Sequence, residues 1–202
     1  MSKLNTVKRD ENETKKMNFI AKIDTSWSLF LDRDGVINER IVGGYVQNIS
    51  SFCLLEGVFE AVAMLKKQFG RIFVVTNQQG IGKGIMTKED LQLVHNHMET
   101  KLFTTFDGIY YSPFLASENS MMRKPNPGMA FEAKKDFPEI NFQKSVMVGD
   151  SVSDIQFGKN VQMKTVYISA QKENMGADMV CTSLYDFAKI IKKRDYTLHY
   201  CK

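Results

Sequence analysis

Cysteine and net charge are both scarce in this chain. Its 202 residues include three cysteines, Cys53, Cys181 and Cys201. That is an odd number with no CxxC pair, which argues against a disulfide framework and fits a reducing, cytoplasmic setting. No apolar signal segment precedes the first strand-like run, and no stretch is long enough to span a bilayer. The formal net charge is only +4, with bases and acids interleaved, so composition demands neither nucleic acid nor a membrane as a partner. Internal repeats are absent. Residues 1–17 mix five basic and three acidic side chains with few apolar ones and read as a flexible leader. The remainder, 18–202, with 43% hydrophobic content overall, suits a single domain with a full core.

What the chain does contain is acids at strand ends. Asp32 and Asp34 follow the apolar run Trp27-Ser28-Leu29-Phe30-Leu31 and precede Gly35. A strand stopping there delivers two carboxylates to one sheet edge, and a turn at the glycine swings the second acid toward the target of the first. Two such charges repel by about 1 kcal/mol in water and about 4 kcal/mol at an effective dielectric near 20. A bound Mg2+ or a stored proton resolves that repulsion, whereas the bland alternative is a solvated acidic turn.

Three more polar clusters follow apolar runs: Thr76-Asn77-Gln78-Gln79, Arg123-Lys124-Pro125 and Gly149-Asp150-Ser151. Ligands of open α/β sheets bind outside the carboxyl ends of the strands, so the four clusters are expected to meet in one crevice. Helical and extended patterns alternate between them. Val58, Val62, Leu65 and Phe69 recur at helical spacing before Gly70. Thr87 to Asp90 reads as a capping box opening a helix with the stripe Leu91, Val94, Met98 and Leu102. Asn126-Pro127 reads as a cap and first-turn proline for a helix to Asp136. Strands near Lys164–Ile168 and Asp178–Cys181 and a helix from Ser183 complete the series. The expectation is an α/β, Rossmann-like three-layer fold with a mostly parallel central sheet. The span from Asp34 to Glu56 holds only a short flap, so no large cap domain is expected and the site is open.

For a phosphate monoester each cluster acquires a part. Asp32 attacks phosphorus, and Asp34 protonates the leaving oxygen and then activates water. Thr76 and Lys124 stabilise phosphoryl oxygens. Asp32 and Asp150 side chains with the Asp34 carbonyl suit the few-carboxylate, octahedral taste of Mg2+, with Asp154 and Ser151 behind them. Gly43, Gly44 and Tyr45 in the flap, with Asn77, Gln78 and Arg123, are candidate substrate contacts.

The segments Leu31-Asp32-Arg33-Asp34-Gly35-Val36-Ile37-Asn38, Val74-Val75-Thr76-Asn77-Gln78, Arg123-Lys124-Pro125-Asn126-Pro127-Gly128-Met129 and Val148-Gly149-Asp150-Ser151 resemble the haloacid dehalogenase-like phosphohydrolases over roughly residues 27 to 182. Within them, Gly44-Tyr45-Val46, the run from Thr76 to Gly84 and Asp107-Gly108-Ile109-Tyr110-Tyr111 make the chain most similar to the D-glycero-D-manno-heptose 1,7-bisphosphate 7-phosphatase and histidinol-phosphate phosphatase group. The resemblance implies Mg2+-dependent hydrolysis of a small phosphorylated sugar through an aspartyl-phosphate, in a monomer. It also implies that Arg123 meets the remote part of the substrate, where a bidentate guanidinium suits a second phosphate. Polynucleotide 3'-phosphatase is a weaker alternative because no basic stripe with interleaved aromatics is visible. A non-catalytic phosphosugar-binding module would normally have lost Asp32 or Asp34.

Relatives in that group often carry a zinc quartet where this chain has Ser112, Phe114, Ser120 and Met122, so zinc is not expected. The shortened loop then needs other support, for which Phe114, Leu115, Met121 and Met122 are candidates. His95 and His97 point about 200° apart on a helix and cannot share a metal, leaving a solvated or half-buried role. Gly80 to Gly84 lacks P-loop spacing.

Overall fold

Six short strands build the sheet: β1 (Ser28–Leu31), β2 (Arg71–Asn77), β3 (Gly108–Ser112), β4 (Ser145–Gly149), β5 (Lys164–Ile168) and β6 (Met179–Cys181). All are parallel, in the order β3-β2-β1-β4-β5-β6. The computed structural model describes residues 19–171 and 173–199, with side chains to 193. The leader assigned to residues 1–17 and Cys201 lie outside the described residues. Among the described residues no second domain is inserted, and no helix is long and apolar enough to cross a membrane.

Alternation along each strand sorts side chains to two helical layers. Leu29, Leu31, Ile72, Val74, Val146 and Val148 face one layer, formed by α1 (Val58–Leu65), α3 (Lys88–Leu102) and α6 (Leu184–His199). Phe30, Phe73, Val75 and Met147 face the other, formed by α4 (Gly128–Asp136) and α5 (Val152–Asn160). The Phe30 and Phe73 rings stand 5.0 Å apart. Each such fully buried side chain contributes about 1.5–3 kcal/mol relative to exposure. A four-residue helix α2 (Gln79–Gly82) follows β2 directly.

The Thr87–Asp90 capping box forms in both directions. Two helix boundaries differ from the expectation. The first helix ends at Leu65, and the chain reaches Phe69 through turns that still bury its ring. The helix after β3 starts at Gly128 with Pro127 as its cap residue. Asn126 does not cap it, because its amide donates to the Asn119 and Ser120 carbonyls of the preceding loop.

From β1 the chain steps outward through β2 to β3, then crosses back to β4 on the other flank of β1. Strand order reverses between β1 and β4, and in doubly wound sheets the crevice at that reversal is where ligands sit.

Candidate active site

Asp32 leaves the end of β1 with its amide bonded to the Val148 carbonyl of β4, which places its carboxylate at the strand-order reversal. Lys124 arrives from the loop before α4. Its Nζ donates to Asp32 Oδ1 at 2.7 Å and to the Val75 carbonyl at 2.7 Å, and lies 2.6 Å from Asp154 Oδ1. Lysine and both carboxylates are buried. The other Asp154 oxygen accepts from Ser151 N at 3.0 Å and Ser151 Oγ at 2.6 Å, in the capping box that opens α5. One carboxylate oxygen each of Asp32, Asp150 and Asp154 lies within 4.8 Å of the others.

Gly35 makes this proximity possible. Its φ is +95°, and a Cβ there would lie 1.9 Å from Asp150 Oδ2, so only glycine lets the β1 turn pass that carboxylate.

Asp34 takes its partners from outside this cluster. Arg33, fully buried, grips it through Nη2 at 2.8 and 2.9 Å, and the Asn38 and Gln78 amides donate to it at 2.9 and 2.8 Å. Burial pushes the Asp34 carboxyl upward, but the Arg33 guanidinium and the Asn38 and Gln78 amides outweigh it and hold the group below the usual carboxylate range. His95 meets Arg33 Nη1 from α3 at 3.3 Å. Burial and the Arg33 charge push its imidazole down to about 3, so it stays neutral and accepts from the guanidinium.

The electrostatics of Asp32 run the other way. Burial lifts its pKa to about 7, opposed by Lys124 and reinforced by Asp154 and Asp150. Lys124 itself is pushed up, because Asp154 and Asp32 together overcome its burial. The asymmetry is physical: the lysine has two carboxylates against it, whereas Asp32 shares one lysine with two other acids. Burial likewise lifts Asp150 to about 6 against the pull of Arg40. A carboxyl raised on folding contributes stability that is complete below its unfolded value, 3.8, and is lost as pH rises through the folded value. In metal chelator, the midpoint of thermal unfolding is therefore expected to fall from about pH 5 to about pH 7.5, by on the order of 2–4 °C for each kcal/mol lost. Asp150→Asn is expected to flatten the profile, and a variant that tracks the native protein across that interval contradicts the assignment.

A cavity of about 260 Å³ opens over Asp32. Asp34, Gly44, Tyr45, Thr76, Asn77, Arg123, Lys124, Ser151 and Asp154 line it, and Arg40 and Ser153 join them. Three candidates fall outside the lining, Asp150 among them. Gly43 faces open space. Gln78 is 1% exposed, and its amide donates to Asp34 and to Thr76 Oγ1, so it braces the acid instead of meeting a substrate. Asn77 reaches the cavity, yet its side chain is engaged with the Lys124 backbone through bonds of 3.1 and 3.0 Å. Arg123 Nη1 donates to the Phe114 carbonyl at 3.0 Å.

The loop after β3 is tied by polar bonds, not by the apolar plug expected. Phe114 and Met121 are 37% and 59% exposed, and of the four candidates Met122 packs on the second core cluster. Gly82 N donates to the Pro113 carbonyl, Leu115 N to Glu118 Oε2, and Asn126 to Ser120.

His95 also departs from expectation, being 3% exposed. The signal was present: His95 lies four residues past Leu91, on the edge of the buried stripe. His97 instead meets the Phe52 ring edge-on at 5.9 Å. Arg33 lies within the first motif and Arg40 outside all four, and neither position indicates where its side chain goes.

What the fold and crevice define is a class, the haloacid dehalogenase-like hydrolases. Comparison with known proteins narrows it. A family profile described as "Polynucleotide kinase 3 phosphatase" matches residues 28–194. A D-glycero-alpha-D-manno-heptose-1,7-bisphosphate 7-phosphatase of Mycobacterium bovis is 37% identical over 170 residues, 80% of this chain and 90% of that protein. A D-glycero-beta-D-manno-heptose-1,7-bisphosphate 7-phosphatase of Escherichia coli is 36% identical over 184 residues, 83% of this chain and 94% of that protein. Among solved structures, a D,D-heptose 1,7-bisphosphate phosphatase from B. bronchiseptica, complexed with magnesium and phosphate, superposes with a TM-score of 0.73 at 22% identity, covering 83% of this chain and 98% of that one. The chain belongs to the family of haloacid dehalogenase-like phosphatases that these relatives represent.

Proposed function

We propose that this protein is a Mg2+-dependent phosphomonoester hydrolase that removes the C7 phosphate of D-glycero-D-manno-heptose 1,7-bisphosphate. The observation that carries the reading is the Asp32 carboxylate, held at 2.7 Å by buried Lys124 at the floor of a cavity that Arg123 also lines. One end of a bisphosphate then lies over Asp32, and the guanidinium of Arg123 is available to the other phosphate. The relatives named for this substrate at 34–37% identity support the choice over histidinol phosphate.

The donor set fits a hard divalent cation. Asp32 and Asp150 offer carboxylate oxygens, the Asp34 carbonyl faces the same space through Arg40, and a cationic group already stands among the three. When bound, Mg2+ supplies positive charge between the Asp32 carboxylate and the phosphate. Asp154 has one oxygen on Lys124 and the other on Ser151, so it supports the lysine and the α5 terminus from behind.

Lys124 orients Asp32 for attack on phosphorus and balances charge on the phosphoryl oxygens. Thr76 presents its hydroxyl from the end of β2. Asp34, kept ionised by Arg33, accepts a proton brought by the monoanionic fraction of a phosphate whose second pKa is about 6. It passes that proton to the leaving oxygen, then removes one from the water that hydrolyses the aspartyl-phosphate.

Initial rates of phosphate release with Mg2+ test the reading. Both anomers of heptose 1,7-bisphosphate are expected to exceed histidinol phosphate and a 3'-phosphorylated oligonucleotide by about tenfold or more in kcat/KM, the value of one well-placed contact near 1.4 kcal/mol. Preference for histidinol phosphate or for the oligonucleotide overturns the substrate.

A further inference from the structure

Arg40 belongs to none of the four strand-end clusters, yet its guanidinium stands where a cation would. Nη2 donates to Asp150 Oδ1 at 2.5 Å and to the Asp34 carbonyl at 3.1 Å, Nε lies 3.3 Å from that carbonyl, and Nη2 is 3.8 Å from Asp32 Oδ2. These are the three groups assigned above to the divalent ion. We infer that Arg40 is the resident counter-ion of the metal site and that a divalent cation must displace it to bind. The inference rests on the proposed Mg2+ site and adds the residue that sets how readily that site fills.

The charge arrangement supplies the reason. Lys124 reaches Asp32 and Asp154, and among the described residues the cationic partner of Asp150 is Arg40. Without Arg40, three carboxylates within 4.8 Å of one another would have one lysine among them. A planar fork suits the task, because it spans a carbonyl and a carboxylate at once where an ammonium offers one point. A guanidinium and a metal ion cannot both occupy Asp150 Oδ1, since like charges repel and the approach is already as close as a hydrogen bond allows.

Displacement is open to this side chain. Arg40 is 47% exposed, and the residues after it, Ile41 and Val42, are 38% and 95% exposed. The guanidinium thus enters from the solvent side and leaves without breaking core packing. A divalent ion outcompetes it by carrying twice the charge on a smaller radius, whereas a monovalent ion gains little over the arginine. Arg40 therefore acts as a specificity-determining residue for the cation.

The test is metal binding by full-length protein without substrate. Mn2+ is titrated into chelator-stripped wild type, Arg40→Ala and Arg40→Lys, with free ion read by electron paramagnetic resonance, and Mg2+ is scored by competition. Arg40→Ala is expected to bind Mg2+ about five- to tenfold more tightly than wild type, with Arg40→Lys between them. Should the alanine variant fail to fold, Arg40→Gln, which keeps the stem and removes the charge, carries the same expectation. Equal or weaker binding by a folded, uncharged variant overturns the inference and leaves the proposed phosphatase standing. Absence of binding in every form removes the metal site and the inference together.

Discussion

Asp32→Asn is expected to lower phosphate release from heptose 1,7-bisphosphate by about four or more orders of magnitude, because the variant loses the atom that attacks phosphorus. Asparagine keeps the shape of the side chain. Lys124 retains the Val75 carbonyl and Asp154 as partners, so no buried cation is abandoned. The substitution also removes a carboxyl that burial and two neighbouring acids lift to about 7, so folding stability at neutral pH is not expected to drop. Single-turnover phosphate release, paired with thermal unfolding, separates the two effects. Substantial turnover by a folded Asp32→Asn protein would remove Asp32 from the role of nucleophile.

Lys124→Met has the largest expected effect on the fold itself. The lysine is 3% exposed and stands between Asp32 and Asp154, themselves 5% and 1% exposed. Deleting one member of a buried ion cluster costs about 3–5 kcal/mol, since the carboxylates left behind are desolvated and uncompensated. At 2–4 °C per kcal/mol, the unfolding midpoint is expected to drop by about 6–20 °C, with activity lost as well. Adding Asp154→Asn removes one stranded charge and is expected to recover part of the midpoint but none of the activity. If Lys124→Met alone melts like the native protein, the buried cluster does not carry the charge balance assigned to it.

Much of this site is legible in the sequence. Each chemical cluster follows an apolar run, and a parallel sheet gathers strand ends at one edge, so Asp32, Thr76, Lys124 and Asp150 were expected to share a crevice from spacing alone. Less visible was where individual polar side chains would turn. Asn77 and Gln78 are neighbours at the end of β2, yet one lines the cavity and the other is buried beneath Asp34. A turn breaks the two-residue alternation that would have told them apart. Arg33 sits between two acids as a surface arginine would, but folds inward against His95, 62 residues away. No local pattern encodes a contact across that distance.

The amino-acid order by itself determined the alternation of strands and helices, the acids and lysine at strand ends and the glycine at position 35, because these depend on periodicity and on backbone freedom at single residues. Tertiary structure decided which charges pair. Asp34 with Arg33, Asp150 with Arg40, and Lys124 with both Asp32 and Asp154 are partnerships of side-chain direction and burial. The energy of a charge pair depends on separation and surrounding dielectric, and both are set only when the strands lie side by side.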